Sequence, residues 1–170
     1  MSIKPRTKVP ALSLQMVGGG QFEVAQSAPK TFTLLVVYRG LHCPICKNYL
    51  RDLNHKLGEF EALGVEATAA STDTQDRAER SKVEWDVEHL RIAYGLGIEQ
   101  ARTWGLFISA GIKDGEPPLF AEPGLFLIRP DHTLYAASIQ TMPFARPSFS
   151  DVLAAVKFVT EKDYPARGEA

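Results

Sequence analysis

Cys43 and Cys46 are the only two cysteines among 170 residues, and they stand three positions apart in the run Tyr38-Arg39-Gly40-Leu41-His42-Cys43-Pro44-Ile45-Cys46-Lys47. The apolar segment Thr31-Phe32-Thr33-Leu34-Leu35-Val36-Val37-Tyr38 precedes them, and a stretch of helical periodicity follows. A thiol placed where a strand turns into a helix meets the unpaired N–H groups and positive dipole end of that helix, which favour its anion. An ordinary thiol with a pKa of about 8.5 is only a few per cent ionised at neutral pH, whereas helix-N-terminal Cys-x-x-Cys thiols titrate roughly between 3.5 and 7.5. A second thiol one turn away can attack a mixed disulfide intramolecularly, so an adduct is released without waiting for another molecule. The pair is therefore expected to be a redox site.

Other uses of two cysteines fit these residues less well. A structural zinc site needs four ligands, usually a second Cys or His pair with its own short spacing, but His42, His55, His89 and His132 are scattered singly. Inert core thiols are expected away from polar neighbours, and here His42 and Lys47 flank the pair. A static disulfide across so short a loop would constrain the unfolded chain little. No metal and no bound cofactor is expected.

With 45% hydrophobic and 23% charged residues, the chain has the composition of a soluble domain with a full core, and residues 1-170 are expected to form one domain. A formal net charge of -1 leaves no basic footprint for nucleic acid and no polybasic membrane patch. The basic start Met1-Ser2-Ile3-Lys4-Pro5-Arg6 is not followed by the apolar core of a secretory signal, and no stretch approaches the roughly 18 apolar residues of a membrane span. A cytoplasmic location is expected, because a reducing compartment suits a dithiol that must be regenerated.

The elements that must position the pair can be read along the chain. Leu12 to Leu14 and Phe22 to Val24, separated by Gly18-Gly19-Gly20, form an expected N-terminal hairpin. Thr31 to Tyr38 is apolar at nearly every position, as in a central strand covered on both faces. Cys46, Leu50, Leu53, Leu57 and Phe60 recur at helical spacing, with Pro44 in the first turn and Gly64 as the stop. Gly64 to Ser71 is a weaker strand, and Thr72-Asp73-Thr74 caps a charged helix from Gln75 to about Trp85. Leu90 to Gly115 carries turns and a short apolar run but no clear periodicity, and Lys113 to Pro118 is a loop. Gly124 to Ile128, Arg129 to His132 and Thr133 to Ser138 read as strand, turn and strand. Ser150 is the expected cap of a last helix with Val152, Leu153, Val156 and Val159 on one face.

This order, with Tyr38-Arg39-Gly40 leading into Cys43-Pro44-Ile45-Cys46, Gly124-Leu125-Phe126-Leu127-Ile128 before a Pro-Asp turn, and Pro143-Phe144-Ala145-Arg146 ahead of the last helix, resembles the peroxiredoxin-like branch of the alkyl hydroperoxide reductase and thiol-specific antioxidant family. The resemblance implies an α/β thioredoxin-like fold, a central mixed sheet flanked by helices. It also implies a hydroperoxide or disulfide substrate, a thioredoxin or glutathione reducing system as reductant, and pairing as a homodimer. In the family pattern Pro-x-x-x-Thr-x-x-Cys the attacking cysteine falls on Cys46, the threonine position is Cys43, and the arginine before the Gly-Leu-Phe strand is replaced by Pro123. Arg146 alone matches a family arginine. The replacements lean toward thioredoxin, where a cis-proline lies against the Cys-x-x-Cys. Pro123 is either that residue or an ordinary proline opening a strand.

Roles remain open between two schemes. Thioredoxin-like chemistry has the less buried Cys43 attack and Cys46 resolve. Peroxiredoxin-like chemistry has Cys46 become a sulfenic acid that Cys43 resolves. Arg39, His42 and Arg146 can lower a thiol pKa by charge or hydrogen bonding, or can be solvated or structurally paired residues. The function expected is a thiol-disulfide oxidoreductase, with hydroperoxide reductase as the alternative and a non-catalytic thioredoxin-fold binding or chaperone module as the contrast.

Overall fold

The computed structural model describes residues 3–170. The uninterrupted apolar run after Thr31 forms β3 (Phe32–Val37), all six residues of which are buried. Leu34 and Val36 point into one core layer and Leu35 and Val37 into the other, which is why the run does not alternate. The strand is flanked on both sides. It pairs in parallel with β4 (Val65–Ala70) and antiparallel with β8 (Gly124–Ile128).

Seven strands form one mixed sheet in the order β2-β1-β5-β4-β3-β8-β9, with β1 (Ser13–Met16) and β2 (Gln21–Glu23) making the expected hairpin, β5 (Arg91–Tyr94) beside β4, and β9 (Leu134–Ile139) at the far edge. One core layer gathers Leu50, Leu53 and Phe60 of α1 (Pro44–Ala62), Ala78 of α2 (Gln75–Glu84) and Val152 and Val156 of α4 (Phe149–Lys162). The opposite layer is built on the hairpin residues Leu14 and Phe22 with Ala101 of α3 (Ile98–Thr103) and Trp104.

Helix boundaries follow local chemistry. Pro44 opens α1, where its missing N–H has no helical partner to lose, and the chain leaves after Leu63 through Gly64 at φ +76°. Thr74 caps α2 with its hydroxyl accepting from the Arg77 N–H. The last helix starts two residues earlier than expected: Ser148, not Ser150, is the cap, its Oγ accepting from the Asp151 N–H at 3.1 Å. Ser148-Phe149-Ser150-Asp151 has the spacing of a capping box, and this start lets Phe149 enter the core.

The stretch without clear periodicity holds β5, α3 and β6 (Ile108–Ala110). β6 pairs with β7 (Leu119–Ala121) in a separate two-stranded ribbon around the expected Lys113–Pro118 loop. This ribbon matters to the site, because β7 brings Phe120 and the following Glu122 against the loop that carries Cys43.

Candidate active site

The chain leaves β3 at its carboxyl end and must turn sharply to start α1. Gly40 makes the turn at φ +133°, and a Cβ there would lie 2.7 Å from Asp73 Oδ1. That close approach exists because the fully buried Asp73 carboxylate sits under the loop: the Leu41 N–H donates to its Oδ2 at 2.8 Å and Arg77 Nε to its Oδ1 at 2.9 Å. The Cys43 N–H closes the turn on the Gly40 carbonyl at 3.1 Å. Cys43 is thereby fixed as the N-cap of α1, in extended backbone conformation.

Its sulfur does the work that a Ser or Asp oxygen does at most helix starts. Cys43 Sγ accepts a hydrogen bond from the Cys46 N–H at 3.2 Å. Both thiols are free, and both are covered, at 1% and 0% exposure. Cys43 is the less buried of the two, as expected, but by a small margin, since the surrounding segments cover both sulfurs. Their proton affinities nonetheless diverge. Hydrogen bonding from the Cys46 thiol lowers Cys43 to about 6 against the opposing effect of burial, with help from the Cys46 N–H and the charges of Arg39 and Arg146. Burial pushes Cys46 well up, and the adjacent Cys43 pushes it further.

A pH dependence follows. Alkylation of Cys43 by iodoacetamide is expected to accelerate with pH through a half-point near 6 and then level off; a half-point of about 8 or more would refute the assignment. The linked stability has a defined sign. Cys43 is depressed, so its contribution is fully present above the unfolded thiol pKa of about 8.5 and is lost as pH falls through about 6. Cys46 keeps its proton when folded, so above about 8.5 the unfolded chain binds fewer protons and the trend reverses. Urea unfolding of the reduced protein should record both limbs.

Two arginines frame the pair. Arg39 Nε lies 3.1 Å from Glu122 Oε2, without the alignment of a hydrogen bond, and its guanidinium stands 4.8 Å over the Phe120 ring. Glu122, almost fully buried, also accepts from Ser109 Oγ at 2.6 Å. Arg146 reaches Cys46 itself, its Nη1 lying 3.6 Å from Cys46 Sγ. His42 packs edge-on against Phe120 with ring centroids 4.6 Å apart. Burial, then the neighbouring Arg39 charge, holds its pKa below the usual histidine value, so it is neutral at pH 7.

Pro123 lies at the same site but is not a cis-proline. No cis peptide bond occurs among the described residues, and Pro123 opens β8, its carbonyl accepting from the Gln140 N–H at 2.9 Å. The conformation fits its anchoring: the preceding Glu122 is fixed through its side chain and through its N–H to the Phe107 carbonyl at 2.8 Å. Pro123 lines a narrow crevice with Tyr49, Arg146 and Pro147.

Asp73, Glu122 and Tyr49 belong to the site, and no sequence motif marks them. Glu122 carried a signal, a single carboxylate inside the apolar run Leu119 to Ile128, since a charge buried there must find a partner. Asp73 was concealed by its place in a capping cluster. Tyr49 carried no signal of its own.

The sequence model of the AhpC/TSA family matches residues 5–137. The chain belongs to the AhpC/TSA family. As a member of that family it is a thiol-dependent oxidoreductase of the peroxiredoxin-like, thioredoxin-fold type. No curated protein matches it. Solved structures similar to this AhpC/TSA protein include a cysteine-to-serine mutant of peroxiredoxin 6 of Arenicola marina, with TM-score 0.78 and 16% identity over 95% of this chain and 76% of that one. Peroxidoxin BcpB from Mycobacterium tuberculosis superposes with TM-score 0.74 and 15% identity over 92% and 98% of the two chains. Peroxiredoxin Q of Xanthomonas campestris does so with TM-score 0.71 and 22% identity over 91% and 97%. At these identities the superpositions establish a shared fold.

Proposed function

We propose that Cys43 and Cys46 form a redox-active dithiol in which Cys43 is the attacking thiolate and Cys46 the resolving thiol. The observation that carries this is the asymmetry between two neighbouring sulfurs: Cys43 Sγ caps α1 and accepts the Cys46 N–H, which favours its thiolate, while burial and the adjacent Cys43 favour the protonated Cys46. The Cys43 thiolate attacks one sulfur of a substrate disulfide, forming a mixed disulfide and expelling the other sulfur as a thiolate. Cys46 then gives up its proton and attacks Cys43 Sγ, forming the Cys43–Cys46 disulfide and expelling the second substrate thiolate. Two electrons pass to the substrate. A thioredoxin or glutathione system returns them in the reverse sense.

A second reading rests on Arg146 beside Cys46 Sγ. A cation there favours a Cys46 thiolate, which attacks the terminal oxygen of a hydroperoxide. The O–O bond breaks, the leaving alkoxide or hydroxide takes a proton, and Cys46 becomes a sulfenic acid. Cys43 displaces its oxygen as water, giving the same disulfide. The complete cover over both sulfurs also suits so small an oxidant.

Stopped-flow oxidation of the reduced protein by hydrogen peroxide, compared with Cys43→Ser and Cys46→Ser and with sulfenic acid located by mass spectrometry, separates the two. Slow, thiol-like oxidation in all three proteins, with disulfide exchange lost in Cys43→Ser, is the expected result. Fast oxidation that survives Cys43→Ser and places the sulfenic acid on Cys46 would establish the peroxidase instead. Full function with both cysteines replaced by serine would make the protein a binding or chaperone module. The cytoplasmic location, a single domain and pairing of two copies belong to the same proposal, supported by the need to regenerate the dithiol and by the family.

A further inference from the structure

We propose that Tyr49 is a positioning residue that holds the Arg146 guanidinium on Cys46, through its ring face and through its hydroxyl. Arg146 lies in the irregular segment between β9 and α4, directly after Ala145 at φ +54°, and no carboxylate pairs with it among the described residues. Something other than an ion pair must aim it.

Tyr49 supplies the missing constraint twice. The Arg146 guanidinium carbon stands 4.1 Å from the centre of the Tyr49 ring, in cation–π range. The Tyr49 hydroxyl donates to the Pro147 carbonyl at 2.6 Å, which fixes the backbone immediately after Arg146. Phe149, fully buried, stacks on Tyr49 with centroids 4.3 Å apart and ring planes 30° from parallel. At these distances the guanidinium and Phe149 cannot share one face, so the phenol is clamped between them. Tyr49 also lies three residues after Cys46 on α1, hence on the same helical face. One turn of helix thus carries both the sulfur and the group that aims a cation at it.

The groups facing Cys46 are Cys43 ahead of α1, the Arg39 backbone and Tyr38 at the end of β3, Tyr49 on α1, and Arg146 ahead of α4. Burial raises both tyrosines and keeps them neutral, so once Cys43 is replaced by serine the full charge acting on Cys46 is that of Arg146. Misplacing it should show directly as a less acidic Cys46.

The inference rests on Cys46 being part of the redox pair, and its test is independent of which sulfur attacks. In a Cys43→Ser background, the pH profile of Cys46 alkylation reports the Cys46 pKa alone. Tyr49→Leu is expected to raise it by about one unit, slowing alkylation about tenfold at a fixed pH below it. Arg146→Gln should give the same rise, and combining it with Tyr49→Leu should add nothing further. Pentafluorophenylalanine at position 49, compared with Tyr49→Phe, preserves the packing while removing the attraction of the ring face for a cation, so it should raise the pKa even if Tyr49→Leu fails to fold. A Tyr49→Leu profile identical to the parent, effects of the two substitutions that add, or identical profiles for the two phenylalanine forms would each overturn the proposal and reduce Tyr49 to a core side chain.

Discussion

Cys46→Ser protein is expected to complete the first half of the reaction and stop there, accumulating a mixed disulfide on Cys43, whereas Cys43→Ser accumulates none. The N-cap bond to Cys43 comes from the backbone N–H of residue 46 and survives the substitution. The thiol hydrogen bond, the largest influence holding Cys43 down, is replaced by one from the serine hydroxyl, a stronger donor. Cys43 should therefore stay below the ordinary thiol pKa and remain a ready nucleophile, because the helix start and the Arg39 and Arg146 charges also persist. The adduct should outlive its wild-type counterpart by at least about a thousandfold, since an intramolecular thiol at the right geometry is worth an effective molarity of roughly 10^5 M or more. Incubation with an aromatic disulfide, a desalting step and intact-mass measurement would count the adducts, and peptide mapping would locate them. A stable adduct on Cys46 in Cys43→Ser, with none on Cys43 in Cys46→Ser, would reverse the assigned roles.

Asp73→Ala is expected to produce the largest loss of stability outside the central core, about 2 to 4 kcal/mol, together with an altered Cys43 titration. The carboxylate is fully buried and serves two donors at once, the Leu41 N–H and Arg77 Nε. Removing it leaves an orphaned amide in the loop that presents Cys43, at the cost of an unmet buried donor, and takes from Arg77 its carboxylate partner while leaving it the Gly115 carbonyl. Arg77 retains some access to water, which keeps the estimate below that of a wholly buried pair. Gly40→Ala should do comparable damage by another route, because φ +133° is hostile to a side chain and the new Cβ would meet Asp73 Oδ1 at 2.7 Å. The two effects should not add. With Asp73 already alanine the collision is gone, and Gly40→Ala should cost less than in the wild type. Urea midpoints of the two single variants and the double variant would decide it; additive losses would mean that the carboxylate and the turn are not coupled as the structure has them.

Both expectations concern residues that reading along the chain weighs unequally. Cys43 announces itself by spacing, because the helix-start chemistry it uses is local and involves only residues 40 to 47. Asp73 is near in sequence to a helix start and is easily taken for part of its cap, yet besides meeting Arg77 of α2 its carboxylate reaches back under a loop 32 residues earlier. The same distinction separates elements read well from those read poorly. β3 and α1 are long and strongly patterned, so burial on two faces or on one stripe is written into them. β7 is three residues long and follows Pro117-Pro118, and β5 begins with an exposed arginine; each is a strand only because a neighbour supplies the ladder. The start of α4 was displaced by two residues because Ser148 and Ser150 are equally good caps in isolation, and only the burial of Phe149 chooses between them.

The sequence by itself determined the chemistry available to this protein: two thiols one helical turn apart at the end of a buried strand, with a proline that can start the helix and a glycine that can make the turn. Those features act through bonds and dipoles spanning a few residues, so they are fixed once the local structure forms. Which sulfur ionises, how fully the pair is covered, and which cations are neutralised were decided by tertiary structure. Arg146 reaches Cys46 from 100 residues away, and Glu122 meets Arg39 across a ribbon that local propensity hardly specifies. Electrostatic effects depend on distance and on the exclusion of water. Both are set only when the separate segments close over the site.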